Sequence, residues 1–247
     1  MTQDPVFVAG VIVLLGFCIG LAKGGFNVLS AILTPLLSLI LPVSLAVGVL
    51  LPMLMVGDAF AVYSYWREWD GRLVRRMLPA GVVGALAGTF LLTYLSANAL
   101  RITLAVFVLL IVLYKLASDR IAHWRYQPRG WHAPAAGLVA GVASGMFNNG
   151  GPVFNSFLLL QALTPRSYIA TTAVYFALLN LLKVPGFLYT GVLDVSRLLA
   201  LWWVFPFIPV GLLAARWLIR RVDQPTFEWI IIGLLVFASG LLFWQSR

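Results

Sequence analysis

Three ionisable side chains, Lys23, Asp58 and Lys183, fall within long apolar stretches. A charge at bilayer depth is expensive, so such residues are functional by default. A lysine there suits an anionic ligand, and a lone carboxylate suits the carriage of a proton. Lys23 stands in a glycine-bounded break, Ala22-Lys23-Gly24-Gly25-Phe26-Asn27, and a second break runs from Met146 to Asn155 as MFNNGGPVFN. In both, glycines permit tight backbone, and a helix is expected to begin directly afterwards. Pro152 fits the first turn of such a helix. The free amides and positive dipole of a helix start favour anions. Two such starts facing each other would form an oxyanion cradle. Its backbone would come from Gly24, Gly25, Gly150 and Gly151, with Asn27, Ser30, Asn148, Asn149, Asn155 and Ser156 as further hydrogen-bond partners.

Each of these readings has a plainer alternative. Lys23 could be a lysine snorkelling from a helix end, and Asn148-Asn149-Gly150-Gly151-Pro152 has the composition of an ordinary turn outside the membrane. Asp58 and Lys183 lie 16 and 18 residues beyond Pro42 and Pro165, which makes them candidate symmetry mates, or else a structural pair. Tyr168, Thr172, Tyr175 and Lys183 recur near one helical face, with Thr171 and Asn180 beside it, and are expected to line a cavity. Asp58, Thr172, Tyr175 and Lys183 are therefore the coupling or pathway candidates.

Other chemistries lack their residues. The two histidines, His123 and His132, have no carboxylate cluster near them, so no metal or other cofactor is expected. Neither a Ser/His/Asp arrangement nor paired carboxylates can be assembled, which argues against an enzyme. The single cysteine, Cys18, excludes an internal disulfide and reads as helix packing. Trp66, Trp69, Trp124, Tyr126, Trp131, Trp202, Trp203 and Trp244 read as interface-belt aromatics.

The elements that must position these residues follow from composition. Of the 247 residues 62% are hydrophobic and 10% charged, with a mean hydropathy of +0.97. Soluble domains are about 45–50% apolar and about 25% charged. This chain is therefore an all-α polytopic membrane protein with the lipid bilayer as a partner. The sequence pI of about 10.2 reflects basic residues at helix ends and in short loops, a positive-inside pattern rather than nucleic-acid binding. No polar stretch is long enough to fold alone and no Walker-type loop occurs, so ATP-driven pumping is not expected. No Lys or Arg precedes Lys23, so the first apolar run lacks the basic flank of a cleavable signal and is expected to stay in the mature protein.

Apolar runs between breakers give ten pieces: 6–22, 28–41, 43–66, 77–95, 98–117, 133–147, 152–163, 166–189, 197–219 and 226–244. The first, second, sixth and seventh are short for a core about 30 Å thick. They form two pairs, each joined by one of the breaks and each followed by three long pieces. Gly16-Phe-Cys-Ile-Gly20-Leu-Ala-Lys23-Gly24 matches Gly137-Leu-Val-Ala-Gly141-Val-Ala-Ser144-Gly145 in spacing and character. The motif alone is common in membrane helices, but its recurrence with the same element order argues for two homologous halves. Residues 1–117 form the first, 118–132 a cytoplasmic linker, and 133–247 the second. Each half is a short glycine-broken helical hairpin plus three long transmembrane helices.

Charge then sets the expected sidedness. If each short pair is a hairpin, the halves are inverted, and twelve Lys and Arg residues fall on the cytoplasmic side against three outside, Arg101, Arg197 and Arg247. If each pair is one broken span, the halves are parallel and the division is ten against five. The positive-inside rule favours inverted repeats with both termini outside.

The two glycine segments, Gly20-Leu-Ala-Lys23-Gly24-Gly25-Phe26 and Gly141–Gly151, resemble the TauE/SafE sulfite exporter family, also called the toluene-sulfonate uptake permease family. The likeness extends over nearly the whole chain. It implies a small bacterial inner-membrane carrier of two related halves that moves sulfite, sulfonates or other organosulfur anions. Ser144 stands where the first copy has Lys23, so a twofold site would be asymmetric in charge. The expected function is secondary transport of a small anionic substrate, with proton coupling through Asp58. An anion channel of similar selectivity is the alternative, and assembly as a homo-oligomer stays open.

Overall fold

A computed structural model of the chain describes residues 5–26, 29–121, 129–218, 221 and 224–246, and all regular elements among them are helical. In order these are α1 (Pro5–Lys23), α2 (Ser30–Ser38), α3 (Val43–Ser64), α4 (Gly71–Tyr94), α5 (Ala97–Ile121) and α6 (His132–Phe147). They continue with α7 (Gly151–Leu159), α8 (Pro165–Tyr189), α9 (Val195–Ala200), a 3₁₀ turn (Trp202–Val204), α10 (Phe207–Leu218) and α11 (Gln224–Gln245).

Five of the described helices are long and apolar enough to cross a bilayer: Val43–Ser64, Gly71–Tyr94, Ala97–Ala117, Pro165–Tyr189 and Thr226–Gln245. The expectation of a sixth, over 197–219, is corrected. That piece is interrupted between Leu201 and Pro206, and only α10 continues as a helix of 12 residues. Pro206 and Pro209 explain the interruption, since proline lacks an N–H and its ring clashes with the preceding turn. α1 is longer than expected for a short piece; its 19 residues reach about 28 Å at 1.5 Å per residue. α2 and α7, with 9 residues each, reach only about half the core.

Polar residues extend two helices beyond their apolar runs. Asp70 caps α4, its carboxylate accepting from the amides of Arg72 at 2.8 Å and Leu73 at 3.0 Å, so Arg72, Arg75 and Arg76 are helical. α5 likewise runs on to Ile121. Thr164 caps α8 by accepting from Ser167 N at 3.2 Å, with Pro165 in the first turn.

α3 is the central helix. In its apolar window 67% of the residues are buried, against 28% for α5, whose exposed Leu110, Leu113 and Tyr114 belong to a lipid-facing surface. α3 packs on α8, and α5 on α11. α1 lies on α10, and α6 on α4, so that, like the two contacts just given, these also cross between the first and second parts of the chain. Both of these last crossings are glycine seams. A Cβ at Gly20 would overlap the carbonyl oxygen of Ile208, and one at Gly211 that of Phe17. In the other seam a Cβ at Gly141 would overlap the carbonyl of Gly81, and one at Gly145 that of Ala85. Without side chains at these positions the backbones touch, which substitutes dispersion contact for the hydrophobic effect that lipid does not supply.

Candidate functional site

α1 and α6 both end at the centre of the packed core, each just after its glycine row. α1 stops at Lys23, and Gly25 then turns with φ 136°, a conformation closed to other residues. α6 stops at Phe147, and Asn148 takes the left-handed conformation, φ 52°, which asparagine tolerates. Gly24 and Phe26 in the first break are buried, as are Phe147, Asn149 and Gly150 in the second. The second break is therefore packed inside the protein rather than exposed at its surface.

Hydrogen bonds tie that second break to α2 and α3 in the first part of the chain. Thr34 on α2 donates to the Phe147 carbonyl at 2.5 Å, and Asn149 donates to the Ala31 carbonyl on α2 at 2.9 Å. Asn148 donates through Nδ2 to the Val47 carbonyl on α3 at 2.7 Å. This bond fixes the Asn148 amide, so its Oδ1 faces the other way and accepts from Lys183 Nζ at 2.8 Å. Lys183 also donates to the carbonyl and the hydroxyl of Ser144, both at 3.0 Å. Three acceptors match the three protons of an ammonium group, and Lys183 is only 2% exposed.

Lys23 and Asp58 form an ion pair through Nζ and Oδ1. The other carboxylate oxygen accepts from Asn180 Nδ2 at 2.8 Å. Asp58 is wholly buried, whereas the Lys23 side chain keeps 14% of its surface, so the pair opens outward on the lysine side. The Phe176 ring lies 5.7 Å from Lys23 Nζ, and the Phe187 ring 5.5 Å from Lys183 Nζ. Lys183 stands one turn beyond Asn180, the α8 residue that holds Asp58. The structure thus joins all three deep charges, which come from α1, α3 and α8, into one cluster.

The remaining expected residues divide. The starts of α2 and α7 meet: a Cβ at Gly151 would stand 3.2 Å from Ser30 Oγ. Asn155 on α7 accepts from Thr172 on α8 at 3.0 Å. Tyr175 is fully buried, stacked on Phe154 at 4.0 Å between centroids, and its hydroxyl donates to the Gly137 carbonyl at 3.2 Å. Its contacts are those of a packed side chain. Asn27 lies outside the described residues, as do His123, Trp124, Tyr126, Arg125, Arg220 and Arg247. His132 accepts the Arg129 amide through Nδ1 at 3.1 Å.

Two participants carry more than the sequence suggested. From the sequence alone Asn180 stands only beside a polar stripe, and Ser144 only as the neutral replacement for Lys23. Counted from the first residue of α3 and of α8, Asp58 and Asn180 hold the same place, and Lys183 stands one turn further on. Asp58 and Asn180 thus share one register in α3 and α8, and that register was the available signal.

Long apolar helices around a buried, charged and glycine-broken centre define a multi-pass membrane protein. The family model for the sulfite exporter TauE/SafE matches residues 12–242. The chain belongs to that family, a family of membrane transporters rather than enzymes. No curated protein and no solved structure gives a significant match to the chain.

Proposed function

We propose that this protein is a secondary transporter moving a small sulfur-containing anion, sulfite, a sulfonate or a related organosulfur compound, across the bacterial inner membrane. The observation that carries the reading is the buried cluster of Lys23, Asp58 and Lys183, held against both helix breaks, in a chain of the sulfite exporter family. The anion binds between the breaks. Lys23, Gly24, Gly25 and Asn27 contribute from one side, and Asn148, Asn149, Gly150, Gly151 and Asn155 from the other. Lys23 supplies the accessible charge, because its ammonium has donors left after pairing with Asp58.

Asp58 carries the coupling proton. The proton is taken up in a step separate from anion binding, which uses the donors that Lys23 has left while the ion pair stands. Lys183 and Thr172 stand beside the pathway on α8, and Tyr175 supports that face from the packed core behind it. The halves 1–117 and 133–247, joined by 118–132, are inverted repeats. Two observations support this arrangement: α1-on-α10 and α6-on-α4 are the same contact with the halves exchanged, and Asp58 meets its register mate Asn180 where α3 crosses α8.

Purified protein in proteoliposomes preloaded with unlabelled sulfite or a sulfonate should accumulate the labelled anion transiently and saturably. Such counterflow requires alternating access, and an anion channel gives none. Its absence, with conductance retained, would assign the chain to the channel alternative.

A further inference from the structure

The cluster at the ends of α1 and α6 has an unbalanced charge. Lys23 and Lys183 are two cations, and Asp58 is one anion. Around Lys183 Nζ stand the Ser144 carbonyl, the Ser144 hydroxyl and the Asn148 amide oxygen, which together can take all three protons of an ammonium, with the Asn148 amide oriented by its bond to Val47. Among the described residues, the other hydrogen-bonding side chains at the cluster, Ser144, Asn148 and Asn180, are neutral. The remaining described carboxylates are engaged elsewhere: Glu228 pairs with Lys115 at 3.0 Å, Glu68 with Arg166 at 3.4 Å, and Asp70 caps α4. Asp194 accepts from Ser196. One positive charge in excess is left at a place where charge is poorly screened.

We propose that this cluster is a valence filter, accepting one monovalent oxyanion at a time, with Asp58 as the specificity-determining residue that keeps the excess at a single positive charge. The inference rests on the transport reading above and deepens it. A monoanion such as a sulfonate brings the buried cluster to neutrality. A dianion leaves one uncompensated negative charge in a low dielectric, and the site rejects it. Removing the Asp58 charge while keeping its shape makes the excess two and should admit dianions. Removing Lys23 together with Asp58 returns the excess to one.

The test compares methanesulfonate, a permanent monoanion, with sulfate, a dianion of similar headgroup, using the full chain in proteoliposomes. Wild type should take up methanesulfonate at least tenfold better than sulfate. Asp58→Asn should lower that preference at least tenfold, and the double variant Lys23→Gln with Asp58→Asn should recover it at reduced rate. A transporting Asp58→Asn variant with the wild-type preference would overturn the proposal. If that variant does not fold, competition on wild type decides. Sulfate that fails to inhibit methanesulfonate uptake supports the filter, and equal inhibition by the two anions refutes it while leaving transport intact. Failure of wild type to take up either of these anions or sulfite would remove the transport reading itself.

Discussion

Asn180 Nδ2 donates to Asp58 Oδ2 at 2.8 Å, and the two residues occupy the same place in their helices, α3 and α8. One carboxylate is thus held by a charged partner from α1 and a neutral one from α8. The amide cannot neutralise the carboxylate; it fixes which oxygen faces Lys23.

Removing that positioning bond has a definite cost. A hydrogen bond to a charged group contributes about 1.5–3 kcal/mol, so Asn180→Leu should destabilise the protein by roughly that amount. Thermal unfolding in detergent measures it. A variant as stable as wild type would show that the Asp58–Asn180 bond contributes nothing to the fold.

The ion pair is more sensitive to losing one member than to losing both. Lys23→Met leaves a wholly buried carboxylate without its cation, and breaking a buried pair in this way costs about 3–5 kcal/mol. Adding Asp58→Asn should restore much of that loss. A double-mutant cycle on unfolding temperatures gives the coupling, and strict additivity would mean that the pair is not formed in solution.

Anion binding should depend on Lys23. Loss of a charge-assisted bond of about 1.5–3 kcal/mol corresponds to roughly a ten- to hundredfold weaker affinity. Lys23→Ala, measured by calorimetry with a sulfonate, should show that loss. Lys183→Ala should weaken binding less, because Lys183 already spends its donors on Ser144 and Asn148. The reverse order would move the binding centre to α8.

The glycine seams predict a contrast between positions of identical residue type. Gly20→Ala and Gly141→Ala each place a methyl group on a facing backbone carbonyl, and overpacking costs about 1–3 kcal/mol. Gly233→Ala meets open space and should gain up to about 1 kcal/mol of helix propensity. Equal melting shifts in all three would mean that the seams are looser than their geometry.

Sidedness is checked by a reporter fused after Arg247. Inverted halves with the positive-inside division should put that end outside, and a cytoplasmic readout would favour parallel halves.

Most helices were legible because each long apolar run had to become one in lipid. The interruption of 197–219 was signalled by Pro206 and Pro209, but a hydropathy reading averages two prolines into an apolar window. Asp70 likewise announced the start of α4 to anyone reading caps rather than apolarity. The pairing of Lys23 with Asp58 was not legible. The residues are 35 apart in the chain, and depth marks each as unusual without saying what it faces. Register did connect Asp58 with Asn180, once the helix starts were known.

The seam between α1 and α10 also imposes an order on biosynthesis. The face of α1 that carries Gly16, Gly20 and Gly24 rests on Val204, Ile208, Leu212 and Ala215, which are synthesised about 190 residues later. At about 5–20 residues per second, α1 waits roughly ten to forty seconds before its partner exists. During that interval a bare strip of backbone and the Lys23 ammonium face lipid or the insertion machinery. The α4–α6 seam closes much earlier, so the nascent protein is a half-assembled body with one open flank. That flank is where quality control would recognise an unfinished chain.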